Sequence, residues 1–167
     1  VQTFLPYSRF TLCAFVLDTK RLGKQRVECR QILNAMRGLS KGWRTHPATL
    51  MWIGHEKALE RYTDAIDSEW IKRGYKHTMP RMSIDCYDDD SAGPWWLGDR
   101  RVHLSHQHAL VFKNAAHYAP FFDDVVEGEL NYFWPHCNRA LDGRWNTGDQ
   151  PDWLKERLAM EALRAGR

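Results

Sequence analysis

Asp18-Thr19-Lys20-Arg21-Leu22-Gly23-Lys24-Gln25-Arg26-Val27-Glu28-Cys29-Arg30, continuing to Arg37-Gly38, decides how the rest of the chain is read. Asp18 or Thr19 can cap a helix, its side-chain oxygen taking an N–H that the first turn leaves unpaired. Gly38 suits the left-handed residue that ends one. Between them Leu22, Cys29, Leu33 and Met36 fall on one narrow stripe at 100° per residue, the buried face. Gly23 costs roughly 1 kcal/mol relative to Ala in a helix, or permits close approach by another group. The stripe divides the cations. Arg26, Arg30 and Arg37 lie on one flank; Arg21, Lys24, Gln25 and Glu28 lie on the other. From residue 20 to 44 there are eight Lys/Arg and one acid, Glu28. A carboxylate set among cations at the edge of the core serves as an electrostatic stabiliser or base, or as the partner of Lys24 one turn away in a salt bridge. Spacing alone leaves both readings open.

Outward from this helix, Pro47 opens a second. Its missing N–H costs nothing in a first turn. Met51, Ala58, Leu59, Tyr62, Ile66 and Trp70 follow at mostly three- and four-residue spacing, up to Gly74. Read as one element over 47–73, this helix is about 40 Å long, with Gly54 a bend. Residues 1–17 read as extended or irregular, and residues 75–100 as loop around Asp88-Asp89-Asp90-Ser91-Ala92-Gly93-Pro94. A third helix is expected over about 103–114, then a loop containing Pro120, Gly128 and Pro135. A polar linker follows over 136–151, and a last amphipathic helix after Pro151 carries Trp153, Leu154, Leu158 and Leu163. No set of alternating strands emerges. The pattern predicts an all-α, compact single-domain helical bundle over 1–135, with a linker and C-terminal helical extension over 136–167.

Composition narrows the function classes. The chain has 167 residues, 43% hydrophobic and 27% charged, the profile of one globular domain. No uncharged run approaches the ~20 residues needed to cross a bilayer. The N-terminus lacks a secretory signal pattern, so a cytoplasmic, nucleoid-associated protein is expected. Cys13, Cys29, Cys86 and Cys137 form no CxxC pair and read as reduced structural thiols. The net charge of +3 hides segregation: residues 1–61 hold eleven Lys/Arg against four Asp/Glu, and residues 100–122 hold three against none. If the two basic blocks converge they form a footprint for a polyanion; otherwise they are solvated helix faces. His103, His106 and His108 lie in the second block, as phosphate contacts or packing residues. His136-Cys137 has no recognised metal-ligand spacing to them, so no metal is expected.

Several stretches together resemble a known family. Gln2-Thr3-Phe4-Leu5-Pro6-Tyr7, Val16-Leu17 through Glu28, Gly42-Trp43-Arg44-Thr45-His46-Pro47-Ala48 with Met51-Trp52, and Trp96-Leu97-Gly98-Asp99 through Ser105-His106 and Tyr118 are similar, in the same order, to bacterial pyrimidine-dimer DNA glycosylases of the endonuclease V type. The likeness covers roughly residues 1–135. It implies that family's helical fold and a base-excision reaction needing no cofactor. The α-amino group of the first residue attacks C1′ of a damaged nucleotide, forms a Schiff base, and cuts the strand by β-elimination. An α-amine suits the task because its ordinary pKa, about 7.7–8.0, lies some two units below that of lysine. The nucleophile then maps to Val1, with Lys24 as the alternative amine. The family's glutamate maps to Glu28 counting back from Asn34-Ala35-Met36, and to Val27 counting forward from Leu22-Gly23; only Glu28 has the chemistry. Arg21, Lys24, Gln25, Arg26 and Arg30 are implied to hold DNA around a nucleotide rotated out of the stack. Arg44, His46, His103, His106 and Lys113 complete one expected positive groove. The expected partner is double-stranded DNA carrying a lesion or abasic site, bound by a monomer, with no membrane. A DNA-binding protein without catalysis and a helical protein-interaction module are the alternatives.

Overall fold

The computed structural model describes residues 1–80, 93–122, 125 and 132–135. Six α-helices follow one another: α1 (Phe10–Val16), α2 (Thr19–Met36), α3 (Pro47–Leu50), α4 (Glu56–Lys72), α5 (Arg100–Lys113) and α6 (Ala115–Tyr118), then a 3-10 turn at Ala119–Phe121. Among the described residues there is no strand, and the fold is all-α. The expected linker and C-terminal helix over 136–167, and the Asp88–Ala92 stretch, lie outside the described residues.

Helix α2 forms where its pattern places it. Asp18 is the cap, accepting the Arg21 N–H at 2.8 Å. Leu22, Cys29 and Leu33 are fully buried. Close approach explains Gly23: a Cβ there would stand 3.0 Å from the Trp70 ring of α4. Helices α2 and α4 form the principal packed pair, and α1 lies against α4.

Three expectations need correction. The 47–73 helix is broken. Gly54 at φ +79° interrupts the helix after α3, and α4 begins only at Glu56; the turn between them buries Met51 and Trp52 completely. The third helix starts earlier than expected, at Arg100, because Asp99 caps it by accepting the Arg101 N–H at 2.9 Å. Helix α1 is absent from the sequence reading. Its first residue has no side-chain cap, and its end is held from afar: Arg73, just past α4, donates to the carbonyls of Leu17 and Phe15, both at 2.7 Å, and of Ala14 at 3.3 Å.

The segment before α1 is extended, as expected, but it is deeply threaded. The Trp52 indole donates to the Thr3 hydroxyl at 2.9 Å. Phe4 N–H donates to Gln25 Oε1 at 3.0 Å, and Gln25 Nε2 donates to the Gln2 carbonyl at 2.7 Å. The Tyr62 hydroxyl lies 2.8 Å from both the Phe4 carbonyl and Gln25 Oε1. Farther along, His103 and Gln107 of α5 bind the carbonyls of Leu5 and Pro6, each at 2.8 Å. A buried strand of backbone needs such partners for every polar group. They fix where residue 1 must lie. Cys13 and Cys29 are buried free thiols; burial pushes Cys13 up to about 12 and raises Cys29 as well, so both are held as thiols.

Candidate active site

The threaded N-terminus delivers Val1 to Glu28. The α-amino nitrogen lies 3.8 Å from Glu28 Oε1, and Lys24 Nζ lies 3.5 Å from the same oxygen. Glu28 Oε2 accepts Gln25 Nε2 at 3.1 Å. One glutamine amide thus binds the backbone of residue 2 and the carboxylate together, coupling the position of the amine to that of the acid. Glu28 is 6% exposed, whereas Val27 is 41% exposed and faces away from the core.

These groups open into a cleft of about 490 Å³. Its polar wall is Lys20, Arg21, Lys24 and Lys113 around the single carboxylate Glu28. Its apolar wall is Phe4, Tyr132 and Trp134, with Gln2 and His46 completing it. The two basic blocks of the sequence therefore converge here, through α2 and the end of α5. The guanidinium of Arg21 is held by Asp18 and lies 5.5 Å over the Tyr118 ring. Burial would raise the Asp18 carboxyl, but the hydrogen bonds and charge of Arg21 outweigh it and hold it below its ordinary range. Lys113 is lowered by burial and then by the neighbouring charges of Arg21 and Lys24. Tyr132 is raised, chiefly by burial. His46 is lowered by burial and then by the positive field of the α-amino group.

Other expected members of the groove are elsewhere. Arg26 and Arg30 do not reach it: both are drawn onto Asp67 of α4, at 3.1 and 2.6 Å. Arg26 also lies 4.6 Å over the Trp70 ring, and Arg30 donates to the Pro80 carbonyl at 3.1 Å. Their positive charge is spent inside the protein. Gln25 is fully buried and holds the N-terminal segment rather than facing outward. His103 has both ring nitrogens engaged. Its Nδ1–H donates to Leu5 O at 2.8 Å, and its Nε2 accepts the Gly98 N–H at 2.9 Å. His106 is fully buried behind the apolar wall, its ring 5.5 Å from Tyr132 and 6.2 Å from Trp134. Burial pushes its pKa down to about 3, so it is a neutral packing residue. Arg44 is exposed, beside the end of α2 at Gly38, and does not line the cleft. Conversely, Lys20, Tyr132 and Trp134 are cleft residues that the sequence reading passes over. The two rings lie more than a hundred residues from Val1, and no local pattern around them points back to it.

Among the described residues, no group of three His, Cys, Asp or Glu could hold a metal ion. No helix is long and apolar enough to cross a membrane. The arrangement does two things chemically. It presents an amine beside a carboxylate, and it surrounds both with cations that suit a polyanion.

Fold and cleft together define a small helical protein whose first residue lies in a cationic site. Residues 1–83 match the model of the pyrimidine dimer DNA glycosylase family. That match relates the chain to DNA glycosylases, enzymes of DNA repair. The matched stretch contains Val1, Glu28 and the α2 cations; Lys113, Tyr132 and Trp134 come from beyond it. No curated protein and no solved structure matches the chain.

Proposed function

We propose that the protein is a pyrimidine-dimer DNA glycosylase with AP-lyase activity, acting as a monomer on double-stranded DNA, with the amine of Val1 as nucleophile and Glu28 as acid–base. The observation that carries this reading is the amine 3.8 Å from a buried carboxylate oxygen in a cleft ringed by Lys/Arg side chains. Lys20, Arg21, Lys24 and Lys113 hold the phosphates around a nucleotide rotated out of the helix. The amine attacks C1′, and the bond to the base breaks with its electron pair leaving on the base, which water protonates. Glu28 takes a proton from the resulting ammonium. The nitrogen lone pair then forms C=N as C1′–O4′ breaks, and O4′ takes the proton back from Glu28. As a carboxylate again, Glu28 removes a C2′ proton, the 3′-phosphate leaves with its bonding pair, and water hydrolyses the iminium.

Lys24 is the second reading, because its Nζ is 3.5 Å from the same oxygen. Borohydride reduction in the presence of dimer-bearing or abasic duplex DNA tests both. A Schiff base becomes a covalent adduct, and peptide mass mapping places it on residue 1 or on Lys24. An adduct on residue 1 supports the proposal. An adduct on Lys24 transfers the role, and the absence of any adduct refutes the Schiff-base chemistry.

A further inference from the structure

His46 is a cleft residue whose tautomer is dictated by its backbone position. It precedes α3, and its Nδ1 accepts the Ala48 N–H at 3.1 Å. A nitrogen that accepts an N–H carries no proton, so in the neutral ring the proton is on Nε2. The ring is also fixed in orientation. Trp43 meets it edge-on at 5.6 Å and 80°, and Trp134 at 6.2 Å and 84°. Trp43 is held at φ +66°, the only non-glycine residue with positive φ among those described. Among the described residues Nε2 has no partner, and it is the one polar ring atom left for the cleft shared with Val1 and Glu28. Protonating Nδ1 would set N–H against N–H and break the contact to Ala48. Burial and the α-amino group act in the same direction. The site therefore holds a fixed neutral donor beside its amine and its acid.

We propose that His46 is a catalytic hydrogen-bond donor, giving its Nε2–H to the deoxyribose ring oxygen as the C1′–O4′ bond opens. This rests on the Schiff-base reading above and adds a donor to the ring-opening step, in which Glu28 supplies the proton. When C1′–O4′ breaks, its electron pair goes to O4′, and the developing alkoxide needs a donor before it takes the Glu28 proton. Neutral imidazole cannot supply that proton, since losing Nε2–H would leave an imidazolate; it stabilises the oxygen while Glu28 transfers the proton. Neutrality has a further use. An imidazolium in the same place would set a positive charge against the α-amino group. Removal of one preorganised donor at a developing oxyanion costs roughly 10²-fold in rate.

The test compares His46→Asn with the parent on two duplexes, by single-turnover borohydride trapping. One carries a cyclobutane pyrimidine dimer, whose sugar ring must open. The other carries an acyclic aldehyde in place of the sugar, which forms an imine with no ring to open. Asn keeps a side-chain acceptor for the start of α3; His46→Ser, read the same way, serves if the Asn variant melts early. The expected result is a roughly 10²-fold slower rate on the dimer duplex, with affinity and the acyclic rate within about twofold of the parent. Equal slowing on both duplexes, or no slowing on either, overturns the ring-oxygen role. Failure of the parent itself to trap either duplex refutes the underlying Schiff-base reading instead, so the two failures are distinguishable.

Discussion

His106→Phe should make the protein less sensitive to acid, by an amount set by the burial of one ring. His106 is fully buried and its pKa is pushed down to about 3, whereas an unfolded histidine titrates near 6.5. Its folded-state pKa is depressed, so the native state resists protonation while the unfolded state accepts it. Between pH 6.5 and about 3 the unfolded chain binds the extra proton, and stability falls as pH falls. The slope is at most about 1.4 kcal/mol per pH unit. Moving from pH 8 to pH 5 covers about 1.5 units below the unfolded pKa, which gives roughly 2 kcal/mol lost through this residue alone. Phenylalanine has no such titration. His46, His55 and His103 are lowered too, each first by burial; they remain in the variant, so it keeps part of the acid sensitivity. Urea unfolding of both proteins at pH 8 and pH 5 gives the four free energies needed. The comparison is made within each protein, so any change in packing cancels to first order. At pH 8 the variant also loses two buried ring nitrogens that have no partner among the described residues, which offsets part of the cost of a larger ring. The difference between the two pH losses should be about 2 kcal/mol in favour of the variant. Identical losses in both proteins would show that His106 is solvated or bonded in the folded state, and the reasoning would fail.

Four further outcomes are expected. Glu28→Gln should lose dimer-duplex cleavage by about 10²-fold or more, the scale of a positioned acid–base group, while binding DNA at least as tightly because one negative charge leaves the cleft; retained cleavage would reduce Glu28 to a salt-bridge partner of Lys24. If Lys20, Arg21, Lys24 and Lys113 each meet one phosphate, log affinity should fall against log salt with a slope of about −3 to −4, and Lys20→Ala should flatten it by about one while Arg26→Gln does not. Asp67→Ala should cost about 3–5 kcal/mol in urea unfolding, because Arg26 is then left buried, and Arg30 half-buried, without their counter-charge; a loss under 1 kcal/mol would refute that account. Gly23→Ala should lower stability by about 1 kcal/mol despite the better helix propensity of alanine, since its methyl meets a Trp70 ring already held by Tyr75 stacking at 4.2 Å and by Arg26; a raised melting temperature would show that Trp70 yields.

What the sequence determined by itself is local. Helix α2 could be read because its cap, its apolar stripe and its terminating glycine lie within some twenty residues and follow one period. Glu28 stood out because it is the one acid among eight cations. The resemblance of residues 2–7, 16–28 and 42–48 then pointed to the family, because those stretches carry chemistry in contiguous runs. The break at Gly54 was visible as a bend but not as the end of one helix and the start of another. A glycine is equally compatible with both, and burial of Trp52 against Thr3 decides between them.

Only the tertiary structure decided which charges face the cleft. Arg21 and Arg26, five residues apart on α2, sit on opposite flanks of its apolar stripe; periodicity does not say that Arg21 lines the cleft while Arg26 is held on an acid of another helix. The difference is Asp67, 41 residues beyond Arg26, brought across by the packing of α4 on α2. The same holds for the histidines. His46, His103 and His106 differ in function because a backbone N–H, a carbonyl or only rings stand next to them, and none of those neighbours is local except Ala48. Even the link between Val1 and Glu28 depends on Gln25, Tyr62 and Trp52 binding the first four residues. Local periodicity dictates which face of a helix is apolar. It carries no information about what another element, folded against that face, will offer to the polar groups at its edge.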